Sequence, residues 1–405
     1  MRTAGEPDPL NRPSPKGGWS EETTVLRNVT VVPPVESGMV QAAGLLHADG
    51  SYCPEGALWR RHRPITTEPD MPEEISQEIS GRWLWGGVLW AHFGHFLVES
   101  TARLWALANL DAPVDGVLFI PKRPAVGDQV RGFQSEFVHL MQPGLPVRVA
   151  AEPSRVQELV VPGQGFGLGE ITQATRSYRN AIHAQFARDI TPEGPEKLYI
   201  SRSKLGLGKG GLLGEEQMEA YLAAEGYEIF HPQEHSLSAQ LARYKAARKI
   251  IAADGSALHL YAMVGRPDQK VAMVLRRKST AHTLLTDNVR HFCKCDPLVI
   301  GALRTEWVPK GKQRSSRLSF GELDHSVIGR ALKAGGFIKG GKNWPVLDDA
   351  ARQQLLRDKG IKSHRFVESP EFRKAREEQE RAERRARRAA RRARREARQA
   401  AQNDG

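Results

Sequence analysis

The sequence predicts an α/β fold, and three observations carry that prediction. Residues 197–263 run strand, helix, strand, helix, strand, the spacing of a parallel sheet with crossover helices. The strand-like runs, such as 117–120 and 198–200, are short, wholly apolar and ended by turn residues. Small and basic residues stand just past two strand ends, Ser201-Arg202-Ser203-Lys204 and Asp254-Gly255-Ser256. Parallel sheets bind their ligands at that edge.

The elements follow in order. Residues 1–20 are rich in Pro and Gly and read as a disordered lead. A first strand is expected over 25–32, stopped by Pro33-Pro34, and 33–80 shows many turn residues and no clear helix. An apolar, glycine-broken run at 83–90 precedes a helix containing His95. Strands follow near 117–120, 147–150 and 159–161, and a helix over 176–188 ends at Thr191-Pro192. These make an N-terminal Rossmann-like half over 21–190, with a hinge at 191–196. The second Rossmann-like half, 191–303, starts with the strand 198–200 and a helix over 215–225 stopped by Gly226. A strand at 227–230, a helix at 238–248 and a strand at 249–252 come next, with a later strand at 271–275 and a helix near 280–290. Residues 304–369 form an extension with one helix-like piece, 323–334, and no assigned role. Residues 370–405 are an Arg/Ala/Glu tail, expected as a solvated, partly frayed helix.

The chain has 405 residues and a net charge of +12. The tail from 370 holds 13 Lys/Arg against 7 Asp/Glu, so half of the excess charge lies outside the expected core. Three cysteines (Cys53, Cys293, Cys295) imply no disulfide framework and point to a reducing, cytoplasmic setting. Cys293 and Cys295 have the spacing of half a metal site, but no second pair exists. No run approaches the roughly 18 apolar residues of a membrane span, and the N-terminus lacks the apolar stretch of a secretory signal. Within 381–398, ten Arg and two Glu suit an anionic surface. The expected partner is an anionic lipid face, with the chain peripheral at the inner side of the membrane. Nucleic acid is the less favoured partner, because the run lacks aromatic interleaving.

Two clusters can carry chemistry. At about 100° per helical residue, with His92 as zero, His95 falls near 300°, Glu99 near 340° and Arg103 near 20°. That stripe offers an imidazole and a carboxylate to a reaction that needs a base. Read as structure only, it is a hydrogen-bonded cluster with Arg103, or a set of metal ligands (His92, His95, Glu99). The second cluster is an anion site. Arg202 gives a fixed, forked cation, with Ser201, Ser203 and Lys204 beside it. Gly255, Ser256 and Ala257 open a helix whose N–H groups and dipole favour phosphate. The expected place for a diphosphate is between these two loops. Glu234, after a strand end, is a carboxylate on a polar loop. No Asp-x-Asp pair occurs in the chain, so no metal and no bound cofactor is expected.

The run from Gly94 through His95, Glu99 and Arg103 to Leu104, followed by Tyr199-Ile200-Ser201-Arg202 and Gly255-Ser256-Ala257-Leu258, resembles glycosyltransferase family 61, the capsular polysaccharide biosynthesis group. The resemblance covers about residues 80–275. It implies a GT-B-like architecture, two Rossmann-type domains with a cleft between them, and an inverting transferase that uses a nucleotide sugar as co-substrate and a glycan as acceptor. It favours His95 and Glu99 as the groups lining the cleft and gives Glu234 a part in holding the ribose hydroxyls. The sequence departs from the family pattern at Asp254, where a His is usual, at His259-Leu260, where an Asn is usual, and at Ala239, where a Glu is usual. An expected Arg is also missing from 210–214. Three functions stay open on the sequence: the transferase, an inactive member acting as a scaffold, and an anion binder working through the tail.

Overall fold

The computed structural model describes residues 12–340 and 343–403, with side chains through residue 393. The part of the lead before residue 12 lies outside the described residues. The fold is mixed α/β, with parallel pairing in three of its larger sheets.

Chain contacts divide the molecule into two compact units. The first holds the chain up to Ile200, Gly226–Met273 and Thr280–Leu298. The second holds Ser201–Glu225, Val274–Ser279 and the chain from Val299 onward.

The first unit contains a six-stranded mixed sheet. Its strands are β1 (Thr23–Val32), β2 (Gly44–Leu46), β3 (Gln77–Leu89), β4 (Gly116–Pro121), β5 (Val147–Val149) and β6 (Ser154–Pro162), in the order β2-β1-β6-β3-β4-β5. β6, β3, β4 and β5 pair in parallel, and β1 runs antiparallel to β6. The strands carry Val29, Val31, Ile79, Trp85, Leu118, Val156 and Leu159 into one buried cluster. Burial on this scale removes apolar surface from water at about 25 cal/mol per Å².

A five-stranded sheet follows: β7 (Lys197–Ile200), β8 (Glu228–Phe230), β9 (Lys249–Ala253), β10 (Lys270–Val274) and β11 (Leu298–Ile300), in the order β8-β7-β9-β10-β11. β7 pairs in parallel with both β8 and β9. Two helices of this unit start on side-chain caps. Ser236 accepts from the Ala239 amide at 3.2 Å, and Thr175 accepts from the Tyr178 amide at 3.2 Å. Glu136, on the helix Gly132–Met141, reaches the start of the helix Leu237–Ala246 and accepts from the Leu237 and Ser238 amides at 2.9 and 2.8 Å. A carboxylate at a helix N-terminus completes the orphan donors and opposes the dipole.

The second unit joins the Ser201–Glu225 segment to the extension, which the sequence left without a role. Gly211–Leu213 pairs in parallel with Phe320–Leu323, which runs antiparallel to Leu303–Pro309, itself antiparallel to Phe366–Glu368. Leu213, Phe320, Leu356 and Phe366 form its buried cluster. The helix Asp349–Asp358 is capped by Asp348, which accepts from the Ala351 amide at 2.8 Å. The tail is one helix, Pro370–Asn403, almost wholly exposed over the side chains described. Its start is tied down: Arg376 donates to Glu368 at 3.0 Å, and Lys278 pairs with Glu371. Among the described residues no helix is long and apolar enough to cross a membrane.

One expected element differs. The segment around His95 is not an α-helix. It is a three-residue turn, Phe93–His95, then a wider π turn, Phe96–Ser100, then a 3₁₀ turn, Leu104–Ala108. The Thr101 amide donates to the Phe96 carbonyl, five residues back, at 3.2 Å. Side chains inside the winding hold it there. Ser100 Oγ donates to the Val88 carbonyl at 2.8 Å and accepts from the Trp90 amide at 2.9 Å, while Thr101 Oγ1 donates to the Leu97 carbonyl at 2.8 Å. The 100° step therefore fails beyond Phe96, and Arg103 leaves the expected stripe.

Candidate active site

Glu99 lies beneath His95, four residues on. The Glu99 side chain has no exposed surface, and His95 is 37% exposed. His95 Nδ1 and Glu99 Oε2 are 2.7 Å apart. Arg60 grips the same carboxylate with two forked donors: Nε to Oε1 at 2.8 Å and Nη2 to Oε2 at 2.7 Å. Such a bidentate pair fixes the carboxylate in place. The tautomer with its proton on Nδ1 donates a hydrogen bond to Glu99 and leaves the Nε2 lone pair to act as a base. Trp90 stacks on the imidazole, with centroids 4.6 Å apart and planes at 25°, and fixes the ring plane.

Arg60 was missed on the sequence. It sits in a two-stranded turn, Trp59–Arg60 with Arg63–Pro64, 39 residues before its partner. Gln164 pins that turn by accepting from the Trp59 amide at 2.8 Å and donating to the Trp59 carbonyl at 3.0 Å. Lys122, just past β4, was missed as well. Its Nζ lies 5.3 Å from the Trp90 ring and donates to the carbonyls of Gly38 and Met39 and to Gln41 Oε1. Burial first, and Arg60 second, pull this ammonium down to about 8.

Arg103 has a different task from the one expected. It is 2% exposed and donates to the carbonyls of Pro162 and Ala57, which ties β6 to the turn carrying Arg60. Burial pulls its guanidinium down to about 10. His92 is exposed and meets His95 edge to face at 5.3 Å. Among the described residues, no group of three or more His, Cys, Asp or Glu side chains is arranged as a metal site.

The turn Gly255-Ser256 reaches this cluster within the same unit. A Cβ on Gly94 would stand 3.2 Å from the Ser256 Cβ, so a glycine at 94 allows the two turns to touch. Ser256 precedes the helix Ala257–Val264, whose bounds are those expected. His259, one turn in, has Nδ1 2.8 Å from Asn288 Oδ1. Desolvation and the neighbouring His95 hold its imidazole down to about 4, against the opposing hydrogen bond to Asn288. Asp254 is 3% exposed.

That depressed imidazole has a consequence for stability. An unfolded chain protonates His259 near its model value of 6.5, while the folded chain does so only near 4. The stability present above pH 6.5 is therefore lost as pH falls through this window, by about 3 kcal/mol at most. Denaturant midpoints at about pH 7 and about pH 5 should fall less in His259→Gln than in the parent chain. Equal falls would remove His259 from the acid response.

The other expected residues lie elsewhere. Ser201, Arg202, Ser203 and Lys204 belong to the second unit, and Gly255–Ala257 to the first. Ser201 is buried and donates to Glu219 Oε1 at 2.5 Å. The Arg202 amide donates to Glu215 Oε1 at 2.8 Å, and its Nη2 donates to the Lys209 carbonyl at 3.2 Å. Glu234 is exposed on the turn Pro232–Glu234, which Gln240 Nε2 pins through the carbonyls of Pro232 and His235.

His95, Glu99 and the Gly255-Ser256 turn fall inside a stretch that matches a known family. Residues 93–271 match the Glycosyltransferase 61 family. The matched stretch starts at the turn that carries His95 and ends within β10, so it includes the Ser201–Lys204 loop and the Gly255-Ser256 turn. The glycosyltransferase 61 segment therefore contains every site residue expected from the sequence. Arg60 precedes the matched stretch, Lys122 lies within it, and the chain from Val299 follows it. No curated protein sequence matches the chain.

Proposed function

We propose that the chain is an inverting glycosyltransferase of GT-B type that moves a sugar from a nucleotide-sugar donor to a glycan acceptor. The glycosyltransferase 61 match supports the transferase class, and the observation that carries the mechanism is the Arg60–Glu99–His95 relay. In this reading His95 Nε2 takes the proton of the acceptor hydroxyl as its oxygen attacks the anomeric carbon. The bond from that carbon to the donor phosphate breaks, and its electron pair leaves with the diphosphate. Glu99 and Arg60 do not touch substrate. Glu99 keeps the Nδ1 proton in place and stabilises the imidazolium that forms, and Arg60 fixes Glu99. The loop Ser201–Lys204 is the proposed nucleotide ligand, with Arg202 on phosphate.

Incubating the purified chain with a panel of nucleotide sugars tests this. Release of the nucleoside diphosphate from one donor, with an inverted anomeric centre in the product by NMR, is the expected result. A folded chain that turns over none of them would leave the scaffold reading in its place.

Turnover is also expected to persist in EDTA. The chain lacks the Asp-x-Asp spacing that holds a divalent ion against a sugar diphosphate, so fixed cations and helix ends are left to neutralise the leaving group. Loss of rate in EDTA, restored by Mn²⁺, would refute this and return His92, His95 and Glu99 as ligands.

A further inference from the structure

The chain beyond the family match builds half of a pocket. A cavity of about 260 Å³ in the second unit is lined on one side by the loop carrying Arg202, Ser203 and Leu207, and on the other by Phe320, Asp358 and Lys359. The second set comes from the extension, which follows the last matched residue, 271. Ligand pockets usually run from about 300 to 1,000 Å³, so this one suits a compact ligand.

Its chemistry is mixed in a specific way. Lys359 Nζ donates to the Ser203 carbonyl at 3.4 Å and pairs with Glu216. Arg202 adds a second cation, at the start of the same loop. The two acids are Glu215, whose Oε1 accepts from the Arg202 amide and from Ser201 Oγ, and Asp358, exposed and accepting from Gln354 at 2.7 Å. Leu205, Leu207 and Phe320 supply apolar wall. Cations suit phosphate, carboxylates accept from sugar hydroxyls, and apolar faces take a base. Inorganic phosphate alone would use only the first of these.

Lys359 is held where it stands. It closes the helix Asp349–Asp358, and Gly360 follows at φ +64°, a left-handed turn that favours glycine. The Ile361 amide returns to the Leu356 carbonyl at 2.9 Å and locks that turn. A Cβ on Gly360 would lie 3.4 Å from Leu207, so this turn and the loop form one wall.

We propose that the extension completes a nucleoside-diphosphate pocket on the Ser201–Leu207 loop, with Lys359 as a phosphate ligand. The identity of the ligand rests on the transferase reading; the pocket does not. The test titrates UDP, GDP, ADP and inorganic pyrophosphate into the full chain by calorimetry, beside Lys359→Ala, Lys359→Gln and Glu216→Gln. At least one nucleoside diphosphate should bind the parent chain. Either Lys359 variant should weaken it by about tenfold or more, the size of one charge-assisted hydrogen bond, and should weaken pyrophosphate in proportion. Glu216→Gln should bind as well as the parent or better, because it frees the ammonium from a protein partner. Unchanged affinity in the folded Lys359 variants overturns the proposal. So does Glu216→Gln losing as much as they do, since Lys359 would then only latch the loop, and so does a parent chain that binds none of the probes. Turnover of a nucleotide sugar with an unchanged donor KM in Lys359→Gln sinks the pocket and spares the transferase. Lys359-dependent binding without turnover of any donor does the reverse.

Discussion

Replacing His95 by alanine should lower turnover by about 10²- to 10⁴-fold, the range for losing a positioned general base. The imidazole is the one member of the relay with substantial exposure, at 37% of its side chain. Its loss leaves Glu99 and Arg60 paired below, so the variant should fold with a denaturant midpoint close to the parent's. Affinity for the nucleoside diphosphate should hold, because the proposed phosphate ligands sit on another loop. The decisive measurement is kcat in single-turnover conditions with donor saturating. A drop smaller than threefold would take His95 out of the chemistry, and a drop matched by loss of donor binding would assign it to binding instead.

Replacing Glu99 by alanine should cost stability as well as rate. Arg60 would keep its guanidinium, 17% exposed, with the acceptor of both forked bonds gone. Removing one partner of a buried pair typically costs about 3–5 kcal/mol, and the exposure of Arg60 places this pair at about 3 kcal/mol. Glu99→Gln separates the two effects. The amide retains the shape and one acceptor for Arg60, so most stability should return. Its NH₂ can donate to His95 Nδ1, which moves the ring proton to Nε2 and removes the base. Glu99→Gln is thus expected to stay folded with activity near that of His95→Ala. Nitrogen-15 shifts of the His95 ring would show the exchanged tautomer. A Glu99→Gln chain with parental kcat would show that the carboxylate does not set the tautomer.

The sheet architecture was legible in the sequence where periodicity was clean. The runs at 117–120, 198–200 and 249–252 became β4, β7 and β9 within a residue or two, and the helix after Ser256 began and ended as expected. Less legible was the winding around His95. His95 and Glu99 still meet, since a four-residue spacing joins them in either winding, but Arg103 does not. Nothing in 96–100 announces a π turn; Ser100 anchors it through a bond to Val88 that only the packed chain offers, beside the local bond from Thr101 to Leu97. Arg60 was hidden for another reason. It lies in a turn-rich stretch without periodicity, and its partner is distant in sequence. The extension was opaque because three of the four strands in that sheet come from beyond residue 300, and the fourth, Gly211–Leu213, was not read as a strand.

The tail helix sets a reach. At 1.5 Å per residue, the 34 residues of Pro370–Asn403 extend about 50 Å. Physiological salt screens charge over about 8 Å, so Arg387 to Arg392, about 16 Å or more along the helix from Arg376, are largely screened from the anchoring contacts near Glu368 and Glu371. If the tail docks on an anionic surface, the charge of that surface is not felt at the anchored end. Capture distance then follows helix length, and capture strength follows arginine number. Shortening the helix by whole turns and exchanging arginines for glutamines would therefore tune two separate quantities.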